Sequence, residues 1–291
     1  MSRVLVAIDL SAGSDEALRQ GAAWAKHSNG KLAVLHVMPD LVPTNTLFPQ
    51  DTAKAALNAA ELEVKIKEAV EARAESITGG KDLERIVDVG VDYERILVHA
   101  ESWKADLLVV GAHGHTGAEK VLGGVAEKVA RYAHCEVLIA RESPDGCVLA
   151  GTDLSDPSMP AVAAAAREAT RRGVPLVVLT AVDTPAVAYL TALGALFGGP
   201  PIVTGAMEAG RAAHLELLAK AIERVGAKAE AIVADGPAHD EIIRIAEKRR
   251  AGLIVVATHG RTGLRRIALG SVAERVLRGA SCSVLVVRFR G

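Results

Sequence analysis

The segment VLVAIDLS at residues 4–11 returns as VLAGTDLS at residues 148–155. In each copy an apolar run leads into an Asp, Asp9 in the first copy and Asp153 in the second, and Leu and Ser follow it. A short apolar run that ends at polar residues is typical of a strand buried on both faces of a sheet. The segment therefore predicts that each half of the chain opens with a buried strand that ends in a carboxylate.

Other stretches recur in the same order along the chain. HGHTG at residues 113–117 matches HGRTG at residues 259–263, CEVL at residues 135–138 matches CSVL at residues 282–285, and the offsets lie between 144 and 147 residues. Chance does not preserve order and spacing together, so the pattern indicates a duplicated domain. The breaker sequence SPDG at residues 143–146 separates the copies. We predict domains at residues 1–143 and 144–291.

Each half alternates apolar runs with segments whose apolar residues recur near the helical period of 3.6. This alternation predicts an α/β fold, in which each domain has a five-stranded parallel sheet with flanking helices. The predicted strands are residues 4–8, 32–38, 84–89, 107–111, 137–140, 147–151, 176–181, 229–234, 253–257 and 284–287. The predicted helices are residues 14–27, 52–76, 93–103, 124–132, 161–172, 206–225, 240–250 and 271–278.

Charge and cysteine content argue against several classes of partner. The net charge is −1 and the sequence pI is near 6.8, so the chain lacks the excess positive charge that is typical of proteins that bind nucleic acid or an anionic membrane. No signal-peptide pattern precedes the first apolar run. Cys135, Cys147 and Cys282 show neither metal-ligand spacing nor an even count. We expect a cytoplasmic protein with reduced cysteines, no nucleic-acid partner and no membrane span.

Residues 184–207 form an unusual segment because none of them is charged. Pro and Gly interrupt it, and its stretch at residues 186–197 is too short to cross the roughly 30 Å of a bilayer core. The segment lies between the second strand and the second helix of its half. Two interpretations stay open, a surface excursion folded over its own core or an apolar patch that closes over a ligand or contacts another subunit.

The loop after the fourth strand of the second half carries a second group of recurring residues. Nine residues separate Gly260 from Gly270, which is followed by Ser271 at the start of a predicted helix. Glycine lets the backbone approach an anion, and a helix N-terminus offers N–H groups and a favourable dipole. Together with the Ser271 hydroxyl, these features predict a phosphate cradle. The alternative is a glycine turn in which Ser271 is only the N-cap.

Asp9 and Asp153 lie at the same edge of the predicted sheets. Ligands of open parallel sheets bind outside the carboxyl ends of the strands, where the connections diverge. There a carboxylate can accept a hydrogen bond from a ribose hydroxyl or an adenine amino group. The alternative is that each Asp only helps to cap the following helix.

With these motifs the chain resembles a tandem universal stress protein, with two copies of the UspA-type domain. The family's nucleotide-binding signature is Gly, two residues, Gly, nine residues, and Gly followed by Ser or Thr, with an Asp after the first strand. The resemblance covers both halves nearly end to end. It implies two Rossmann-like domains of the adenine nucleotide alpha hydrolase-like type, which hold ATP with or without Mg²⁺.

The resemblance also implies which residues would contact the nucleotide. The adenine would lie near Asp9 and Val37 in the first domain and near Asp153 and Ala181 in the second. The phosphate loop of the first domain would comprise Gly111, Gly114 and Gly124. The phosphate loop of the second domain would comprise Ala257, His259, Gly260, Arg261, Gly263, Gly270, Ser271 and Val272.

Both copies depart from the signature. In the first, only eight residues separate Gly114 from Gly123, and Gly124 takes the place of the hydroxyl residue. Aligning on Gly124 restores nine residues but puts Val125 at the hydroxyl position. In the second, Ala257 replaces the first glycine and adds only a methyl group. We therefore predict that the second domain is the better nucleotide site and that the first is weaker or degenerate.

The predicted function is the binding of ATP by a sensor or regulator of stress or energy state, in a homodimer of tandem chains. No P-loop motif is present, and neither a nucleophile nor a carboxylate pair accompanies His113 and His259, so hydrolysis would be slow at most. Two alternatives stay open. One is a scaffold of the same family that acts through protein contacts without nucleotide, and the other is a genuine nucleotide hydrolase or transferase.

Overall fold

The structure is a computed structural model that describes residues 2–40, 49–80, 83–113, 122–182, 204–258 and 269–289. Contacts divide the chain into two compact units, Met1–Glu142 and Ser143–Gly291, which are called the first and second domains below. Most of the uncharged segment, residues 184–203, lies outside the described residues. Both interpretations of that segment therefore remain predictions.

The first domain alternates strands and helices along the chain. Its described elements are β1 (Arg3–Ile8), α1 (Ala12–His27), β2 (Lys31–Met38), α2 (Pro49–Thr78), β3 (Glu84–Val89), α3 (Asp92–Ser102), β4 (Leu107–Gly111), α4 (Gly124–Tyr132) and β5 (Glu136–Ala140). These strands pair in parallel in the order β3-β2-β1-β4-β5. The central strand is β1, in which Val4 lies between Leu32 of β2 and Leu107 of β4.

The second domain repeats this plan. Its described elements are β6 (Cys147–Gly151), a short 3-10 helix (Asp156–Ser158), α5 (Met159–Arg172), β7 (Leu176–Val182), α6 (Thr204–Arg224), β8 (Glu230–Asp235), α7 (Ala238–Lys248), β9 (Ala251–Ala257), α8 (Ser271–Gly279) and β10 (Ser283–Val287). The strands pair in parallel in the order β8-β7-β6-β9-β10. Strand β6 is thus the counterpart of β1, and β9 is the counterpart of β4.

The central strands are buried on both faces, as their continuous apolar runs predict. Val4, Leu5 and Val6 of β1 have no exposed surface, and Val148 and Leu149 of β6 are also fully buried. Burying one such side chain contributes about 1.5 to 3 kcal/mol. The sheet centres therefore hold their strand ends in fixed positions, and those ends carry the recurring polar residues.

Helix α1 packs closely on the sheet of the first domain. Gly21 of α1 lies directly against Val6, because a Cβ on this glycine would overlap the Val6 side chain. Ala17 and Leu18 of the same helix are fully buried. This close packing fixes the start of α1, and with it the turn that follows β1.

The predicted α/β class, with parallel strands and flanking helices in both domains, is confirmed. Helix α7 was predicted to extend to Arg250 but ends at Lys248. The difference has a local cause, because Arg250 adopts a left-handed backbone with φ of 51° and donates its N–H to the Glu247 carbonyl. Within the described part of the chain, no helix is both long and apolar enough to span a membrane.

Candidate functional site

The Asp that follows the first strand of each domain orders the next turn. Asp9 Oδ1 accepts hydrogen bonds from the Ser11 backbone N–H at 3.0 Å and from the Ser11 hydroxyl at 2.5 Å. Asp153 makes the same two contacts with Ser155, also at 3.0 and 2.5 Å. Ser11 is the N-cap of α1, and Ser155 is the N-cap of the 3-10 helix. Each carboxylate thus holds the N-cap residue in place and is not itself the N-cap.

A Leu in an unusual backbone conformation separates each Asp from its Ser. Leu10 and Leu154 both have φ of 65°, in the left-handed region that residues other than glycine rarely adopt. The two domains share this feature at equivalent positions. The turn after the first strand therefore follows the same path in both domains.

In the second domain a chain of buried hydroxyl groups adds to this turn. The Leu154 N–H donates to Thr152 Oγ1 at 3.0 Å, the Thr152 and Ser158 hydroxyls lie 2.7 Å apart, and the Ser158 hydroxyl donates to the Ser155 carbonyl at 2.8 Å. Thr152 and Ser158 are both buried. Ile8 is the first-domain counterpart of Thr152, so this chain is a feature of the second domain.

The loop after the fourth strand returns to the same edge of the sheet. Gly270 is the N-cap of α8 and donates its N–H to the Thr258 carbonyl at 2.8 Å. A Cβ on Gly270 would lie 2.9 Å from that carbonyl oxygen, so the close approach requires glycine. Ser271 is exposed and is the first residue of the helix, not its N-cap. The N–H groups of the first helical turn have no partner within the helix.

The first domain has the same arrangement around Gly123. This residue is the N-cap of α4, donates its N–H to the Ala112 carbonyl at 2.9 Å, and accepts from the Glu127 N–H, as Gly270 does from Glu274. Gly123 is therefore the structural counterpart of Gly270, and Gly124 is the counterpart of Ser271. Of the two alignments that the sequence allows, the geometry favours the one with eight intervening residues.

The first glycine of the signature also has a structural role in the first domain. A Cβ on Gly111 would lie 2.8 Å from the carbonyl oxygen of Gly13, which is in the first turn of α1. The second domain has Pro157 at the position of Gly13, within the 3-10 helix, and Ala257 at the position of Gly111. The change from Gly111 to Ala257 at the end of the fourth strand is thus accompanied by a change in how the chain enters the helix after the first strand.

These turns surround a cavity of about 310 Å³ in the second domain. Asp153, Ala181, Ala257, Gly270, Ser271 and Val272 line it together, so the structure brings six of the sequence-predicted residues to one space. Leu179, Ile242 and Val256 supply apolar wall. Of the lining residues that the structure describes, only Asp153 carries a charge. The volume is at the lower end of the range for small-molecule sites.

The first domain has an equivalent cavity of about 360 Å³. Asp9, Val37, Gly111 and Gly124 line it, which again places the predicted residues together. A second carboxylate, that of Asp92, also lines this cavity, where the second domain has Ala238. The two cavities therefore share their position in the fold but differ in charge.

Several predicted site residues lie outside the described part of the chain: Gly114, His259, Gly260, Arg261 and Gly263. Their placement at either cavity remains a prediction. In the residues that are described, no group of three or more His, Cys, Asp or Glu side chains is arranged to hold a metal ion.

The loop after the third strand of each domain also lines the cavity, which the sequence did not predict. Asp92 and Ala238 open the helices that follow β3 and β8, and Ile96 and Ile242 lie one turn further on; all four line the cavities. A signal was present in Gly90 and Gly236, whose φ values of 145° and 136° require glycine before these helices. That pair recurs at the same offset as the HGHTG and HGRTG motifs.

The universal stress protein family model matches the chain twice, over residues 1–141 and 147–288. The chain belongs to the universal stress protein family. The predicted resemblance is therefore confirmed, and both domains described above are universal stress protein domains.

Known proteins extend this comparison. Universal stress protein Rv2005c of Mycobacterium tuberculosis is 30% identical over 295 residues, which cover 98% of this chain and 96% of that protein. Universal stress protein MJ0531 of Methanocaldococcus jannaschii is 49% identical over 74 residues, which cover 25% of this chain and 44% of that protein. A putative universal stress protein from Pseudomonas aeruginosa aligns over 99% of this chain and 93% of its own, with a TM-score of 0.65 and 20% identity. That last likeness shows the fold alone.

Proposed function

We propose that the second domain binds ATP and that the protein acts as a nucleotide-responsive regulator of the stress response. The observation that carries the proposal is a single cavity that has apolar walls, one carboxylate and a glycine-capped helix N-terminus. Each of these features suits a different part of an adenine nucleotide. The family resemblance of the signature residues supports the same ligand.

The apolar end of the cavity suits the adenine ring. Leu179, Ala181 and Ile242 line it, and the small Ala181 side chain leaves room beside the end of β7. Asp153 can accept a hydrogen bond from a ribose hydroxyl or the adenine amino group. Because Ser155 already fixes the orientation of this carboxylate, the acceptor is in place before a ligand binds.

The N-terminus of α8 suits the phosphate chain. Its first-turn N–H groups and dipole favour an anion, and the Ser271 hydroxyl adds a donor. Gly270 keeps this end open, since any larger residue would meet the Thr258 carbonyl. Mg²⁺ bound together with ATP would neutralise charge on the phosphates, and we expect the Ser271 hydroxyl to contact the phosphates or the ion.

Binding, rather than rapid turnover, is the activity that this geometry favours. Catalysis of phosphoryl transfer needs a group that positions the attacking water and further charge stabilisation. Asp153, the one charged residue among the described residues of the cavity wall, is held by Ser155. We therefore propose a cytoplasmic sensor with slow hydrolysis at most, assembled as a homodimer of tandem chains, which light scattering can test.

Ser271→Asp provides a sharp test of nucleotide binding. An Asp in the first turn of a helix stabilises the helix, so the fold is retained while a negative charge enters the phosphate end. The matched control is Gly124→Asp in the first domain, where a Cβ meets nothing within 4 Å. We expect calorimetric titration with ATP and Mg²⁺ to show micromolar binding that Ser271→Asp abolishes and Gly124→Asp retains. Absence of ATP binding to the unmodified protein would favour the scaffold alternative.

A further inference from the structure

The two cavities differ at positions that decide the charge of an acceptable ligand. Asp92 and Ala238 are equivalent, because each is the first residue of the helix that follows the third strand of its domain. Gly124 and Ser271 are equivalent, because each is the first residue of the helix after the fourth-strand loop. The first cavity therefore gains a carboxylate and loses a hydroxyl donor relative to the second.

The Asp92 carboxylate is held in position by its helix. Its Oδ1 accepts a hydrogen bond from the Tyr93 backbone N–H at 2.8 Å, and the N-terminus of α3 favours the negative charge. Asp9 adds a second carboxylate to the same cavity wall. The N-terminus of α4 lines the first cavity as that of α8 lines the second, so the two cavities differ in their carboxylates, and two of them oppose the entry of an anion more strongly than one does.

The remaining walls of the first cavity are suited to an uncharged ring compound. Leu35, Val37, Ile96 and Val110 line it with apolar side chains, the His113 imidazole also lines it, and its volume is about 360 Å³. Carboxylates accept hydrogen bonds, so they select a ligand that offers hydroxyl or amino donors. A purine nucleoside combines an apolar ring with such donors and has no phosphate.

We propose that the first domain binds an uncharged nucleoside and rejects its phosphorylated forms, so that the two domains sense different ligands. The inference rests on the proposed function in one respect only, that the apolar end of both cavities accepts the same adenine ring. The first domain is thus a second ligand site with a different specificity, and not a degenerate copy of the ATP site.

A matched pair of cavity-filling variants separates the two sites. Val37 and Ala181 occupy equivalent, partly buried positions at the ends of β2 and β7, and both line their cavities. Ala181→Trp fills the second cavity and leaves the first. We expect this variant to bind adenosine at least tenfold more tightly than ATP in calorimetric titrations. Adding Val37→Trp should remove adenosine binding.

Asp92→Asn in the Ala181→Trp protein tests the charge argument. The change keeps the side-chain shape and removes the negative charge, so the preference for adenosine over ATP should fall by about tenfold. The control is Glu101→Gln, which removes a negative charge from an exposed position on the same helix outside the cavity. An equal effect of the two variants would overturn the role of Asp92.

A measurement on the unmodified protein avoids any folding defect of the Trp variants. With the second domain saturated by ATP and Mg²⁺, adenosine titrated into the complex should still bind one site per chain. Loss of adenosine binding under saturating ATP, or ATP binding to the Ala181→Trp protein as tight as that of adenosine, would overturn the proposal. Failure of ATP to bind the unmodified protein would instead refute the proposed function. Titration of adenosine into the Ala181→Trp protein would then still test whether the first domain binds a nucleoside.

Discussion

Gly111 at the end of β4 lies against the backbone of Gly13 in α1, so that a Cβ on Gly111 would be 2.8 Å from the Gly13 carbonyl oxygen and 3.0 Å from its carbonyl carbon. These atoms belong to the backbone and cannot rotate away as a flexible side chain can. The contact joins the turn after the first strand to the loop after the fourth. The turn after β1 and the loop after β4 can therefore approach each other this closely only because residue 111 has no side chain.

Gly111→Ala should consequently destabilise the first domain by about 1 to 3 kcal/mol, the usual cost of overpacking. Gly124→Ala is the matched control, because a Cβ there meets nothing within 4 Å and the reduced freedom of the unfolded chain should leave stability unchanged or slightly higher. Chemical denaturation followed by circular dichroism measures both. Equal stability of the two variants would contradict the steric argument.

Thr152→Val should destabilise the second domain. The valine keeps the shape of threonine but leaves the Leu154 N–H without its acceptor at 3.0 Å and removes the contact with the Ser158 hydroxyl at 2.7 Å. A buried polar group that loses its partner costs about 1 to 3 kcal/mol. The same substitution at exposed Thr170 should change stability by less than about 0.5 kcal/mol. A loss of equal size at both positions in denaturation experiments would argue against the hydroxyl chain.

Asp88 should make the stability of the first domain depend on pH. Partial burial acts to raise the pKa of this carboxyl, but hydrogen bonds from Arg95 at 2.6 Å, from His99 at 2.7 Å and from the Val89 N–H outweigh burial and hold the pKa below its usual value of 3.8. A lowered pKa in the folded state means that the stabilisation is present above about pH 4 and is lost as the pH falls through the folded-state value.

Asp88→Asn should therefore lower the free energy of unfolding by about 1 to 2 kcal/mol at pH 7, with a difference that shrinks as the pH falls below 4. Asp156→Asn removes a carboxylate whose side chain is 77% exposed, and it should have little effect at any pH. Urea denaturation between pH 3 and 7 measures both variants. A difference for Asp88→Asn that stays constant over this range would show that its charge does not matter.

Lys104→Gly should stabilise the first domain. Lys104 follows Trp103, the C-cap residue of α3, and adopts a left-handed conformation with φ of 55°. The Lys104 and Ala105 N–H groups donate to the Glu101 and Ala100 carbonyls. Glycine is the preferred residue at this position, and the net gain should be about 0.5 to 1 kcal/mol. Lys104→Ala keeps the backbone strain, so it should leave the melting temperature nearly unchanged. Equal shifts for the two variants would show that side-chain loss, not strain, is responsible.

The fold could be predicted from the sequence because its strands are unusually distinct. The predicted bounds of β3, β4 and β6 match the structure. Strands β4 and β6 are buried apolar runs, whereas β3 is partly exposed and contains Glu84, Arg85 and Asp88. Helix ends were less predictable. Arg250 continues the helical pattern in sequence but leaves the helix in the structure, because its left-handed turn depends on backbone hydrogen bonds that composition does not encode.

The candidate site could be predicted only in part. Asp9, Asp153 and Gly270 belong to motifs that recur in both copies, whereas Ser271 was found from the signature alone, since the first copy has Gly124 at that position. Asp92 and Ala238 differ from each other, so a search for repeated residues passes over them, although both line the cavities. A comparison of copies finds what the copies share and misses the positions at which they have diverged.

The unequal cavities have a consequence for how such a protein can evolve. A homodimer built from one single-domain chain must carry the same residue at both copies of every position. When both domains are encoded in one chain, equivalent positions can carry different residues, such as Asp92 in the first domain and Ala238 in the second, or Gly124 and Ser271. Covalent duplication thus removes the constraint of symmetry, and selection can act on each binding site separately while the shared scaffold stays intact.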